Sequence, residues 1–281
     1  DNGYIKLLPI GRWWGHDLPS QEMVITTSTG AKIYGVVGTR PPHGMTRAEE
    51  EKVINPIDLF IDLGVKTKEE VQNLGIQVGD MITPNVKFSV MNNPEYLMGK
   101  AWDDRIGVAV GIDVLKELQG IDHDANIYVA ATVQEEVGIR GARTAAHLIN
   151  PDIAFALDVT GAKDTPFDKG ETKLGGGVII SVLDGMTLGN KGLLNKFEKI
   201  CEGLGLDINY NSIPEGGTDA GNIHKTFCGI VTMTLSIPTR YMHSPRLVIS
   251  RKDYIQTVKA LAEFCKGMNV ELLKDIKEAN R

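Results

Sequence analysis

Five acidic residues and one histidine hold the positions from which hydrolytic chemistry could start: Asp103-Asp104, Glu135-Glu136, Asp158 and His243. Each stands where an apolar run ends or an amphipathic helix begins. Ile127 to Val133 runs into Gln134-Glu135-Glu136, Ile153 to Leu157 into Asp158, and Ile230 to Ile237 through Pro238-Thr239-Arg240-Tyr241-Met242 to His243. Asp103 and Asp104 open the helix expected from Ile106. In open α/β sheets ligands gather beyond the carboxyl ends of the strands, so these side chains are expected along one sheet edge. Taken singly, each has an ordinary explanation, since an aspartate at a helix start caps it and acidic pairs are usually solvated. Together, carboxylate and imidazole donors at one edge suit Zn, Co or Mn. Hydrolysis at neutral pH needs a water acidified by metal, a carboxylate to take its proton and a positive centre for the developing oxyanion. Adjacent Glu135 and Glu136 can divide that work, because neighbours leaving a strand point different ways.

The elements that must position these groups follow from periodicity. From residue 100 onward apolar strands alternate with amphipathic helices, the pattern of an α/β sheet with helices packed on it. Helices are expected over Ile106 to Leu118, Gly141 to Ile149, the Leu193 to Leu204 stripe and the Tyr254 to Met268 stripe, with strands at Ile127 to Val133, Ile153 to Leu157 and Ile230 to Ile237. Before residue 90 the texture is different. Tyr4 to Leu8, Met23 to Ser28, Ile33 to Val37, Leu59 to Leu63, Met81 to Thr83 and Val86 to Val90 read as short strands, and Asp1-Asn2-Gly3 as a hairpin turn. Helical signal there is confined to Thr46 to Lys52 and Thr67 to Leu74, the second opened by a Thr67/Glu70 capping box.

Composition limits the function classes. With 281 residues and 42% hydrophobic content the chain can bury a large core. A net charge of −6 without basic runs argues against a nucleic-acid surface, and no apolar run approaches the roughly 20 residues of a membrane span. Cys201, Cys228 and Cys265 are odd in number and far apart, which suits reduced thiols in the core and a cytoplasmic location. The Leu174-Gly175-Gly176-Gly177 run lacks the companions of a phosphate loop, and neither HExxH nor GxSxG occurs. His16, His123 and His147 read as surface or packing residues, His43 as a turn residue, and His224 as equally suited to a structural role or to lining a cleft.

Five segments carry a resemblance: Lys100-Ala101-Trp102-Asp103-Asp104-Arg105-Ile106-Gly107, Gln134-Glu135-Glu136-Val137-Gly138-Ile139-Arg140-Gly141-Ala142, Ala156-Leu157-Asp158-Val159-Thr160, Gly216-Gly217-Thr218-Asp219-Ala220 and Arg240-Tyr241-Met242-His243-Ser244. In this order they resemble the motifs of the M42 family of metallo-aminopeptidases. The resemblance implies a mixed sheet sandwiched by helices, with a small β-rich dimerisation domain inserted at residues 7–90, a catalytic domain over 91–281 and residues 1–6 left from its N-terminal segment. It implies hydrolysis of N-terminal residues from short peptides, with two divalent ions sharing Asp103. Glu136 and His243 would complete one position, Asp158 would serve the other, and Glu135 would act as general base on the water between them. It also implies homo-oligomers, dimers assembling into a dodecamer. Family members carry an early His-x-Asp segment upstream of a turn such as Asp1-Asn2-Gly3, and that histidine is not among these residues. The second position then keeps only Asp103 and Asp158, and a protein of these residues alone is expected to be metal-depleted there and nearly inactive. An omitted N-terminal segment is the expected explanation. Two other classes stay open: a glycosidase of the endoglucanase type, which needs two carboxylates roughly 5 to 9.5 Å apart, and a catalytically impaired assembly subunit of the same fold.

Overall fold

A computed structural model describes residues 2–279, so Asp1 of the expected N-terminal turn lies outside the described residues. Gly3 takes a φ of 80°, where a Cβ would come within 2.2 Å of the Val65 carbonyl oxygen.

The chain divides into two compact units. The first takes in the residues up to Phe88 together with His243–Arg246. Its framework is an antiparallel sheet of β1 (Ile5–Lys6), β2 (Glu22–Thr26), β3 (Lys32–Gly38), β4 (Phe60–Asp62) and β5 (Met81–Pro84), in the order β1-β4-β3-β2-β5. Alternation dictates which face is buried: along β2, Met23 and Ile25 point inward while Glu22 and Thr26 are exposed. Met23, Val37, Leu59 and Ile61 form one apolar cluster, and Ile25, Val71 and Ile76 another. Two short helices close the unit, α1 (Arg47–Glu50) and α2 (Lys68–Asn73), and both open on capping boxes, Thr46/Glu49 and Thr67/Glu70. Ile5 and Lys6, which the sequence division sets apart from the β-rich module, pair with Ile61 and Phe60 of this sheet.

The second unit takes in Ser89–Met242 and the described residues from Leu247 onward. It contains β6 (Ser89–Val90), β7 (Tyr96–Gly99), α3 (Trp102–Glu117), α4 (Arg140–Ile149), β8 (Ile153–Gly161), β9 (Val178–Asp184), α5 (Lys191–Gly203), β10 (Ile208–Ile213), α6 (Ala220–Ile223), β11 (Val231–Arg240), β12 (Leu247–Ser250), α7 (Arg251–Lys266) and α8 (Val270–Glu278). The sheet is mixed and centred on β11. Strand β8 runs parallel to it with Leu235 opposite Leu157 and Ser236 opposite Asp158, β9 runs antiparallel at Thr234–Ser236, and β12 pairs with Thr239 and Arg240. Beyond them β10 extends the sheet from β9, while β7 and β6 extend it from β12. The helices bury the stripes their spacing predicts. Ile106, Val110, Val114 and Leu118 of α3, Leu193, Phe197 and Cys201 of α5, and Val258, Leu261 and Cys265 of α7 share one core with Val178, Ile180, Met233, Leu235 and Ile237. Phe155, Phe197 and Phe264 interlock there with centroids 4.9 to 6.1 Å apart. Cys228, expected in the core with the other thiols, is exposed instead.

Two strand expectations change. Ile127–Val133 takes up no regular strand, and Tyr128 and Val133 are each 66% exposed. A strand exists through its ladder partner, and none of the paired strands bonds to this segment. Strand β8 does not stop before Asp158 but continues to Gly161 alongside β11, so Asp158 projects from within a strand.

Candidate metal centre

Asp103 and Asp104 sit where β7 hands over to α3. Regular helix geometry is interrupted there, because Asp103 (φ −82°, ψ 108°) and Asp104 (φ −117°, ψ 47°) are both non-helical. The two aspartates then diverge in their contacts. Asp104 accepts the Gly107 N–H at 3.1 Å, the bond of a helix cap. Gly107 lets α3 lie close: a Cβ there would come within 2.4 Å of the Asp104 carboxylate and 2.8 Å of the Leu157 carbonyl oxygen of β8.

Glu135 and Glu136 are presented by a tight return of the chain into α4. Ile139 N donates to Glu135 O at 2.7 Å, Arg140 N to Gln134 O at 3.2 Å and Gly141 N to Val133 O at 2.9 Å. The turn demands left-handed backbone at Gln134 (φ 60°), Gly138 (φ 123°) and Ile139 (φ 47°). His243 follows β11 by three residues, after left-handed Tyr241, and is itself left-handed at φ 61°.

From these separate segments Asp103, Glu136 and His243 each offer one ligand atom, all within 4.8 Å of one another. Among the described residues this is the one group of three or more potential ligands so placed. Asp158 is not in the trio. Its electrostatic neighbours are Asp104, Asp103 and Glu135, and its Oδ1 accepts its neighbour Val159 N–H at 2.7 Å.

The site is strongly acidic. Burial first, then the charge of Glu136 and a hydrogen bond with it, pushes the Asp103 carboxyl up to about 7. Burial raises Asp104 to about 8 against the opposing Gly107 N–H bond, with Asp103, Glu135 and Asp219 adding repulsion. Glu135 rises to about 7 through burial and then the charges of Glu136, Asp219 and Asp103. Asp158 is driven well above the carboxylate range by burial and by its acidic neighbours. Burial also raises Asp219, partly offset by the hydroxyl of Thr132 donating to it. Asp219 belongs to the Gly216–Ala220 motif, but nothing in its spacing announces that it faces Asp104 and Glu135. A set of two carboxylates and an imidazole, with further carboxylates held close against their own repulsion, fits a divalent cation of the Zn, Co or Mn type. A cavity of about 840 Å³ is lined in part by Asp104, Glu135, Glu136, Asp158 and Asp219.

The profile of the M42 glutamyl aminopeptidase family matches residues 1–260. The chain belongs to the M42 glutamyl aminopeptidase family. As an M42 member it is an aminopeptidase, a peptide hydrolase. It is 34% identical to the lysyl aminopeptidase of Pyrococcus furiosus, over 95% of this chain and 77% of that one. Among solved M42-like structures, the TET aminopeptidase from the marine-sediment Thaumarchaeota archaeon SCGC AB-539-E09 superposes with a TM-score of 0.93 at 35% identity, covering 98% of this chain and 78% of that one. The Pyrococcus horikoshii TET1 peptidase, which can assemble into a tetrahedron or a large octahedral shell, gives 0.83 at 30% identity over 95% and 78%.

Proposed function

We propose that the protein, given a histidine to complete the position of Asp103 and Asp158, removes N-terminal residues from short peptides with two divalent cations, Zn, Co or Mn, and with Glu135 as general base. The observation that carries the reading is the convergence of Asp103, Glu136 and His243 within 4.8 Å, with Glu135 beside a ligand in the chain. Asp103, Glu136 and His243 would hold one cation, and Asp158 together with Asp103 would hold the other. Bound cations supply Lewis acidity, polarising the scissile carbonyl and bringing the pKa of water toward neutrality. Glu135 takes the proton of the attacking water and delivers it to the departing amine nitrogen. The helix cap on Asp104 and the backbone return ending at Gly141 hold the two acidic pairs, so little reorganisation is needed on binding.

The same reading extends to assembly and location. The first unit is the dimerisation module, supported by the outward Tyr34 (54% exposed) and Val36 (42% exposed) of β3. By likeness to the P. horikoshii peptidase, dimers assemble further into a dodecamer. Three free cysteines suit the cytoplasm.

Hydrolysis of a panel of aminoacyl anilides, with and without EDTA, tests the activity. Chelator is expected to abolish turnover and added Zn, Co or Mn to restore it. EDTA-resistant cleavage of a glucan, with no anilide hydrolysed, would replace this reading with a carboxylate-only glycosidase.

A further inference from the structure

The turn that carries His243 has an anchor outside the acidic cluster. Arg240, the last residue of β11, donates Nε to Asp164 Oδ1 at 2.8 Å and Nη2 to Oδ2 at 2.7 Å, a bidentate pair with side chains only 26% and 18% exposed. Asp164 is itself fixed, since its Oδ2 accepts the Leu174 N–H at 3.1 Å. The Arg240 guanidinium lies 5.7 Å from the centre of the Tyr96 ring of β7. Asp164 stands three residues beyond the end of β8, and Arg240 three residues before His243. The pair therefore ties the end of β8, the strand that carries Asp158, to the end of the parallel β11, which leads to His243.

The intervening backbone gives the tie a purpose. Tyr241 and His243 have φ of 62° and 61°, left-handed conformations that are strained in non-glycine residues and persist only when their surroundings hold them. On the far side, Thr239 Oγ1 donates to Val248 O at 3.1 Å and Ser244 Oγ to Arg246 O at 2.8 Å, closing the loop toward β12. A planar guanidinium gripped at two points fixes direction as well as distance.

We propose that the Arg240–Asp164 pair is a positioning device that holds the Tyr241–His243 turn, and through it the His243 imidazole, in the geometry that binds a divalent cation. The inference rests on the reading of His243 as a metal ligand. Co²⁺ binding to the protein, followed by calorimetry and by visible absorption, tests it in Asp164→Asn and Arg240→Lys beside a His243→Ala control. The thermal midpoint of each metal-free variant is measured in parallel. The expected result is a loss of about tenfold or more in Co²⁺ affinity for Asp164→Asn, the scale seen for partners that orient metal ligands, with an altered Co²⁺ spectrum. Arg240→Lys, which keeps the charge but loses the second prong, is expected to show a smaller loss and carries the test if Asp164→Asn does not fold. Unchanged affinity and spectrum in both variants, while His243→Ala weakens binding, would overturn the positioning role and leave the metal site standing. A lowered metal-free midpoint with unchanged affinity overturns it equally, as a purely structural ion pair. Unchanged binding in His243→Ala would overturn the ligand reading and this inference with it.

Discussion

Asp104 accepts the Gly107 N–H at 3.1 Å, while the carboxyl of Asp103, one residue earlier, lies with Glu136 and His243. The two neighbours are identical in chemistry, and capping and metal binding both favour aspartate at a helix start, so residue type alone could not divide the work between them. Asp103→Ala is expected to weaken divalent-metal binding and cut turnover sharply, because in the proposed site its carboxylate would serve both cations. Asp104→Asn keeps an oxygen for the Gly107 N–H and is expected to leave metal affinity within a few-fold. Metal titrations of the two variants check this; the reverse pattern would exchange the two assignments. Asp219 shows the same limit from the other side. It stands within a recognised motif, yet only the fold shows that it faces Asp104 and Glu135.

At the level of elements, the return from Val133 into α4 is what presents Glu135 and Glu136. Gly141 sits so close that a Cβ would come within 2.5 Å of both the N and the O of Val133. Gly141→Ala is therefore expected to cost ~1–3 kcal/mol of stability and to lower kcat/KM by displacing the two glutamates, measured by urea unfolding and anilide kinetics. An unchanged protein would show that the return is not rigid. Helices α3, α5 and α7 were legible because a 3.6-residue stripe is a local property, and so was the capping box of α2. Strand pairing is not local. The apolar Ile127–Val133 run reads as a strand but has no ladder partner here, and β8 continues past Asp158 because β11 lies in register beside it through Thr239. The division of β11 among β8, β9 and β12 leaves no mark in its own residues.

For the whole molecule, the acidic cluster couples protons, metal and stability. Asp103, Asp104 and Glu135 rise from 3.8, 3.8 and 4.5 to about 7, 8 and 7 in the metal-free fold. Between those limits the folded state binds more protons than the unfolded chain, so metal-free stability falls as pH rises from about 4 to about 8. Asp164, held low by Arg240, acts with the opposite sign, its contribution being lost only as pH falls below the ordinary carboxylate range. The thermal midpoint in EDTA is expected to drop across pH 5 to 8 and to recover on adding Zn²⁺, since cations replace the protons. A midpoint that climbs through that window without metal would contradict the raised carboxylates. The central claim, metal-dependent peptide hydrolysis with Glu135 moving the proton, is tested most directly by turnover and metal content of Glu135→Gln. The predicted result is a loss of about 10²–10⁴-fold in kcat with metal content equal to that of the unaltered protein. Turnover close to the unaltered rate, with metal still bound, would contradict it.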